Sequence, residues 1–184
     1  MLSQPPTLNR DGIARRIPHQ GSMCLLETVL EWDESRIRCQ ASSHHSPDHP
    51  LRAHGRLGAA CGVEYAAQAM AVHGALVAEH RVESGAGNSP ICAGFLASMR
   101  SVTLHVERLD TVAGLLTVNA ERITGDANTV LYSFTVQAGM RTLLAGRAVV
   151  VLNATGVVLN TSGIVSGTQP LPGLGAPSQG RITP

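Results

Sequence analysis

Residues 57–80 read LGAACGVEYAAQAMAVHGALVAEH. Ala, Leu, Val and Met dominate this stretch, a composition that favours a helix. Apolar side chains continue nearly all round its first four turns, so the helix needs cover on most sides. Upstream, SRIRCQAS sets Ile37, Cys39 and Ala41 in alternation with Arg36, Arg38 and Gln40. That period of two marks a half-buried strand. MCLLETVLEW at 23–32 precedes it as a second strand candidate, with the acidic WDES at 32–35 as the turn. Downstream, SGAGNSP at 84–90 ends the helix, and four β-rich segments follow at 91–106, 114–123, 129–137 and 141–152. GDAN and AGM between the later ones read as hairpin turns.

The order is therefore two strands, a loop, one long buried helix and about four antiparallel strands. A single sheet buries such a helix only by curling round it. The expected class is α+β, a hot-dog fold with an antiparallel sheet wrapped around one long central helix. An open α+β sandwich is the competing architecture. Residues 1–16 are polar and read as a loose arm, and 17–152 form the domain. Residues 153–184 are rich in Gly, Ser, Thr and Pro and read as a tail without a core of its own, with a possible short strand near 156–159.

Composition removes several function classes. The 184 residues carry 14 basic and 13 acidic side chains, a net charge of +1, and only 3% aromatic residues. Every basic residue is Arg. Nucleic-acid binding needs clustered cations and stacking rings, and both are scarce here. No run of 18 apolar residues suggests a membrane span, and MLSQPPTLNRDGIARRIP lacks the apolar centre of a secretory signal. Cys24, Cys39, Cys61 and Cys92 sit far apart with no CxxC pair, so a cytoplasmic, reducing setting is expected. The cysteines read as core packing.

The chemistry-bearing residues lie in and just before the helix. Glu64 is the one formally charged side chain between Leu57 and Val72. Desolvation there raises a carboxyl pKa and suits a general acid. Gln68 stands one turn on and is placed to orient it. The preceding loop, SSHHSPDHPLRAHGR at 42–56, holds His44, His45, His49 and His54, four of the eight histidines. Backbone N–H groups around Gly58 and Ala59, at the helix start, suit a carbonyl oxygen. Together these make an acid/base site for chemistry beside a carbonyl. A solvated Glu64 and plain surface histidines are the ordinary alternatives. His45, Asp48 and His49 lack a metal-ligand pattern, so no metal and no other cofactor is expected.

Two stretches resemble a known family. Ile17-Pro18-His19-Gln20-Gly21-Ser22-Met23-Cys24-Leu25-Leu26 resembles the N-terminal signature of FabZ-type β-hydroxyacyl-acyl-carrier-protein dehydratases. Gly62-Val63-Glu64-Tyr65-Ala66-Ala67-Gln68-Ala69 resembles the helix of a divergent, aryl-polyene-type branch of dehydratase-like hot-dog proteins, as do Asp48-His49-Pro50-Leu51 and Gly55-Arg56-Leu57. The resemblance covers about residues 15–152. It implies dehydration of a 3-hydroxyacyl thioester to the trans-2-enoyl product, on acyl carrier protein or coenzyme A. It assigns the acid to Glu64 and the base to His49, with His54 as rival base and Gly58, Ala59 and Gln68 at the substrate. It implies a homo- or hetero-dimer, with a half-catalytic subunit of a larger dehydratase as one alternative and a hot-dog thioesterase as another. Arg52, Arg56 and Arg100 are the cations expected to meet an acidic carrier protein.

Overall fold

The computed structural model describes residues 8–85, 94–126 and 128–152. Along the chain come β1 (Leu8–Asn9), α1 (Arg10–Ala14), β2 (Thr28–Trp32), β3 (Arg36–Ala41), α2 (Gly62–Glu83), β4 (Phe95–Leu104), β5 (Leu116–Gly125), β6 (Thr129–Ala138) and β7 (Arg141–Val151). The strands form one seven-stranded sheet in the order β1-β2-β3-β5-β6-β7-β4. Every pairing is antiparallel. The 22-residue α2 packs on β3, β5 and β6, which is the expected sheet around a single helix.

Alternation explains the inner face. Ile37, Cys39 and Ala41 of β3, Leu116, Val118 and Ala120 of β5, and Val130, Tyr132, Phe134 and Val136 of β6 are all buried against the helix layer. On α2 the buried set includes Tyr65, Ala66, Ala69, Met70, Val72, His73 and Leu76, more than one face of a helix, as its composition requires. One large polar group deep in this layer, His73, is satisfied on both sides. His73 Nδ1 meets the Tyr132 hydroxyl at 2.9 Å, and its Nε2 meets the Asp33 carbonyl at 2.8 Å. Gly62 lets α2 begin directly beneath β7, where an added Cβ would overlap the Leu144 side chain. At the other end of α2, the His80 ring meets Trp32 of β2 edge-on, with centroids 6.2 Å apart.

Three boundaries differ from the sequence reading. The expected loose arm contains β1 and α1, with Asn9 Oδ1 capping α1 by accepting the Gly12 N–H at 2.9 Å. Ile13 and Ile17, four residues apart, are buried and anchor it. Helix α2 starts at Gly62 rather than Leu57 because Ala59–Cys61 forms a tighter 3₁₀ turn. The Ala59 N–H there is drawn off to the Glu107 carbonyl at 2.9 Å. The first full strand begins only at Thr28, because Gly21–Met23 is another 3₁₀ turn and the Met23 carbonyl and Leu25 N–H then bond the Gln68 side chain instead of a strand. The expected tail at 153–184, its possible strand and Cys92 lie outside the described residues. No helix among the described residues is long and apolar enough to cross a membrane.

Candidate active site

Glu64 sits in the first turn of α2, with Gln68 one turn further on. Gln68 is fully buried, and all its polar capacity is used. Its Oε1 accepts the Leu25 N–H at 2.9 Å, and its Nε2 donates to the Met23 carbonyl at 2.8 Å and to Glu64 Oε1 at 3.0 Å. One side chain therefore ties the N-terminal segment to the turn that carries Glu64. That segment brings in His19, whose Nε2 stands 3.0 Å from Glu64 Oε1. Oε1 is thus shared by His19 and Gln68, while Oε2 takes no hydrogen bond among the described residues. The desolvation expected of Glu64 is not what the structure shows: its side chain is 30% exposed and that of His19 is 29% exposed. The His19 Nδ1 is buried and has no partner among the described residues.

His49, expected as the base opposite Glu64, lies in a different network. The Leu51 N–H donates to its Nδ1 at 3.1 Å, which leaves Nε2 as the protonated nitrogen, donating to the Tyr65 hydroxyl at 2.9 Å. Tyr65 in turn donates to Ser43 Oγ at 2.8 Å, and the Ser43 proton goes to the Leu25 carbonyl at 2.8 Å. Both ring nitrogens are engaged, His49 is 4% exposed, and burial followed by the Arg52 charge lowers its pKa. No hydrogen bond or ion pair joins His49 to Glu64 among the described residues. The chain of bonds ends on a carbonyl, so it holds the loop to α2 and conducts no proton onward. Burial pushes the Tyr65 hydroxyl up to about 12, in keeping with a fixed neutral donor.

The other expected residues fall on either side of this pair. His54 is exposed at the tip of the turn bridging Ala53 and Arg56, with φ +51°, and bonds to neither Glu64 nor His19. The Ala59 amide is spent on Glu107, so it is no free donor; the Gly58 and Ala60 amides find no backbone acceptor among the described residues. His44 is fully buried, its ring 3.8 Å from that of His45, and both Nε2 atoms point at the Val112 carbonyl, at 3.3 and 2.9 Å. Among the described residues no three His, Cys, Asp or Glu side chains converge as metal ligands. Arg52, expected as a docking cation, is instead a clasp. It bonds the Ser46, His44 and Gly55 carbonyls and Asp110 Oδ2, the last at 3.0 Å. Arg108 joins it, and the hydrogen bonds that Asp110 accepts from Arg108 first, then from the Leu57 amide and Arg52, hold its carboxyl well below the usual range. Beside this loop lies an open cleft of about 470 Å³ with Arg10, Glu27, Ser42, Asp48 and His49 on its walls.

His19 is the residue that sequence reasoning left without a role. Its signal was present in the Pro18-His19 motif, but only the fold shows which helix turn it meets.

Residues 12–158 match the ApeP-like family, described as ApeP dehydratase. This chain belongs to the ApeP-like dehydratases. No curated protein matches it in sequence. Among solved structures, a chain of the dehydratase heterocomplex ApeI:P from Xenorhabdus doucetiae superposes with a TM-score of 0.63 at 24% identity, covering 78% of this chain and 91% of that one. A thioesterase from Haemophilus influenzae superposes with a TM-score of 0.54 at 14% identity, covering 83% and 94%. A thioesterase-family protein from Silicibacter pomeroyi gives the same TM-score of 0.54 at 14% identity, covering 78% and 93%. These likenesses establish the hot-dog fold of this ApeP-like protein.

Proposed function

We propose that this ApeP-like dehydratase removes water from a 3-hydroxyacyl thioester, carried on acyl carrier protein or coenzyme A, with Glu64 and His19 as the acid/base pair. The observation that carries the reading is the 3.0 Å contact between His19 and Glu64, half-open to solvent and held by the buried Gln68. Dehydration takes a proton from the α-carbon and delivers one to the hydroxyl on the next carbon. Two proton-handling groups in contact suit that spacing. His19 takes the α-proton as the carbon–carbon double bond forms. The C–O bond breaks, and the hydroxyl leaves as water with the proton from Glu64. The proton taken up by His19 then passes across their contact to Glu64, which returns both groups to their starting state. The Gly58 and Ala60 amides are the donors available for the thioester oxygen, whose negative charge grows as the α-proton leaves.

A second reading is that the chain is one subunit of a hetero-oligomeric dehydratase. It is supported by the relative in a heterocomplex.

Hydration and dehydration of a short 3-hydroxyacyl thioester, followed with the purified chain, test both. Glu64→Gln and His19→Gln are each expected to lower kcat by about 10²-fold or more. His49→Ala is expected to keep kcat within about tenfold while unfolding more easily, since it breaks a buried hydrogen-bond chain. Loss of kcat in a folded His49→Ala, with His19→Gln active, returns the base to His49. An inert wild type gives the site to a two-chain assembly.

A further inference from the structure

Segment 57–60, just ahead of α2, is paired with the turn that follows β4. The Leu109 N–H donates to the Leu57 carbonyl at 2.8 Å, and the Ala59 N–H donates to the Glu107 carbonyl at 2.9 Å. Gly58 and Arg108 therefore face each other as an antiparallel pair without bonds of their own. In such a pair the N–H and C=O groups turn away from the opposite strand. The Ala60 amide is left over too, because the first N–H groups of a helical turn have no partner within it. Burial follows the same alternation: Leu57 and Ala59 are buried, Gly58 is half-buried and Ala60 is exposed. The pairing thus sorts the amides, and those of Gly58 and Ala60 are the ones left for another acceptor.

This short ladder has a gap that Asp110 fills. Continued regularly, it brings the Leu57 N–H to the Leu109 carbonyl. That carbonyl is turned instead to the Val112 N–H, at 3.0 Å, where the chain bends. Asp110 Oδ1 takes its place and accepts the Leu57 N–H at 3.2 Å. The Asp110 side chain is 6% exposed and is itself fixed by Arg52 Nη1 and Arg108 Nε, both at 3.0 Å. Leu57 is fully buried. Without that oxygen its N–H is a buried donor with no partner, a cost that the segment relieves only by shifting.

We propose that Asp110 is a positioning residue for this site: its carboxylate sets segment 57–60 so that the Gly58 and Ala60 amides meet the thioester oxygen. The inference rests on the dehydratase reading above and deepens its account of the donors to that oxygen. No hydrogen bond or ion pair joins Asp110 to Glu64 or His19 among the described residues, so its action runs through the backbone.

Two measurements on Asp110→Ala and Asp110→Asn test it, with urea unfolding to show that each variant is folded. Asn keeps an oxygen for the Leu57 N–H, and Ala keeps none. The first measurement titrates the chain with a short saturated acyl thioester of pantetheine, which has no hydroxyl to lose, and follows amide resonances by NMR. Those of Gly58 and Ala60 are expected to shift in wild type and Asp110→Asn and to stay in place in Asp110→Ala. A purely structural role lowers the urea midpoint and leaves both resonances responding to the probe. The second is turnover of a short 3-hydroxyacyl thioester. Asp110→Ala is expected to lower kcat about 10- to 100-fold with KM within about threefold, and Asp110→Asn to recover most of that loss. Wild-type resonances that ignore the probe, or an Asp110→Ala that keeps either the shifts or kcat, overturn the proposal. Where wild type shifts but turns nothing over, the dehydratase reading of the lone chain fails, and loss of the shifts in Asp110→Ala still upholds the role of Asp110.

Discussion

His44 has a backbone acceptor for one ring nitrogen and, among the described residues, no partner for the other. Burial first, and then the charge of neighbouring His45, lowers its pKa from 6.5 to about 4. Between those two values the unfolded chain binds a proton that the folded chain refuses, so unfolding is favoured as pH falls. The contribution of a neutral His44 is whole above 6.5 and is lost on the way down to about 4, on the order of 3 kcal/mol. His49 and His73 are lowered by burial too and act in the same direction. Urea midpoints taken from pH 7.5 to 4.5 are expected to fall for wild type and to fall less for His44→Asn. Equal slopes remove His44 as the cause. At this scale the sequence was only half informative. The residue types of the pair, a helix Glu and a His, were readable, and Gln68 was rightly set beside Glu64. Which His meets Glu64 was not readable, because His49 and His54 are nearer along the chain while His19 arrives by tertiary packing through Gln68.

The elements were easier to read than their ends. Alternation marked β3, because one face of it lies on the core, and β-rich composition marked the later strands. The apolar girth of residues 62–77 marked α2, because a sheet encloses it. Missed were features set by single contacts: the Asn9 cap that orders the N-terminal segment, and the Glu107 carbonyl that draws the Ala59 amide away from the helix. Gly62 is of the same kind, since its missing Cβ decides how closely α2 approaches β7. Gly62→Ala has no backbone strain to relieve, but it drives a methyl into Leu144. The expected loss is about 1–3 kcal/mol of stability, read as a lower urea midpoint, and combining it with Leu144→Ala is expected to cost less than the sum of the two single losses. Gly58→Ala, with open space at its Cβ, is the matched control expected to leave the midpoint nearly unchanged.

For the whole molecule, loop 42–56 is held to the sheet by few bonds. The Arg52 fork and the partly shared Asp110 carboxylate join it to the turn after β4, and Tyr65 joins it to α2. Arg52→Met is expected to speed amide hydrogen exchange of Arg56 and Leu57 by about tenfold or more while leaving Val118 and Val136 in the central strands unchanged. Uniform acceleration across the chain means that the clasp supports global stability instead. The junction of β2 with the end of α2 has its own use, because Trp32 is the chain's only tryptophan and its ring lies against His80. Tryptophan emission from this protein therefore comes from one site at one end of the central helix. Because the His80 ring lies edge-on against that indole, the protein carries a built-in optical gauge of whether that helix end is seated on its sheet.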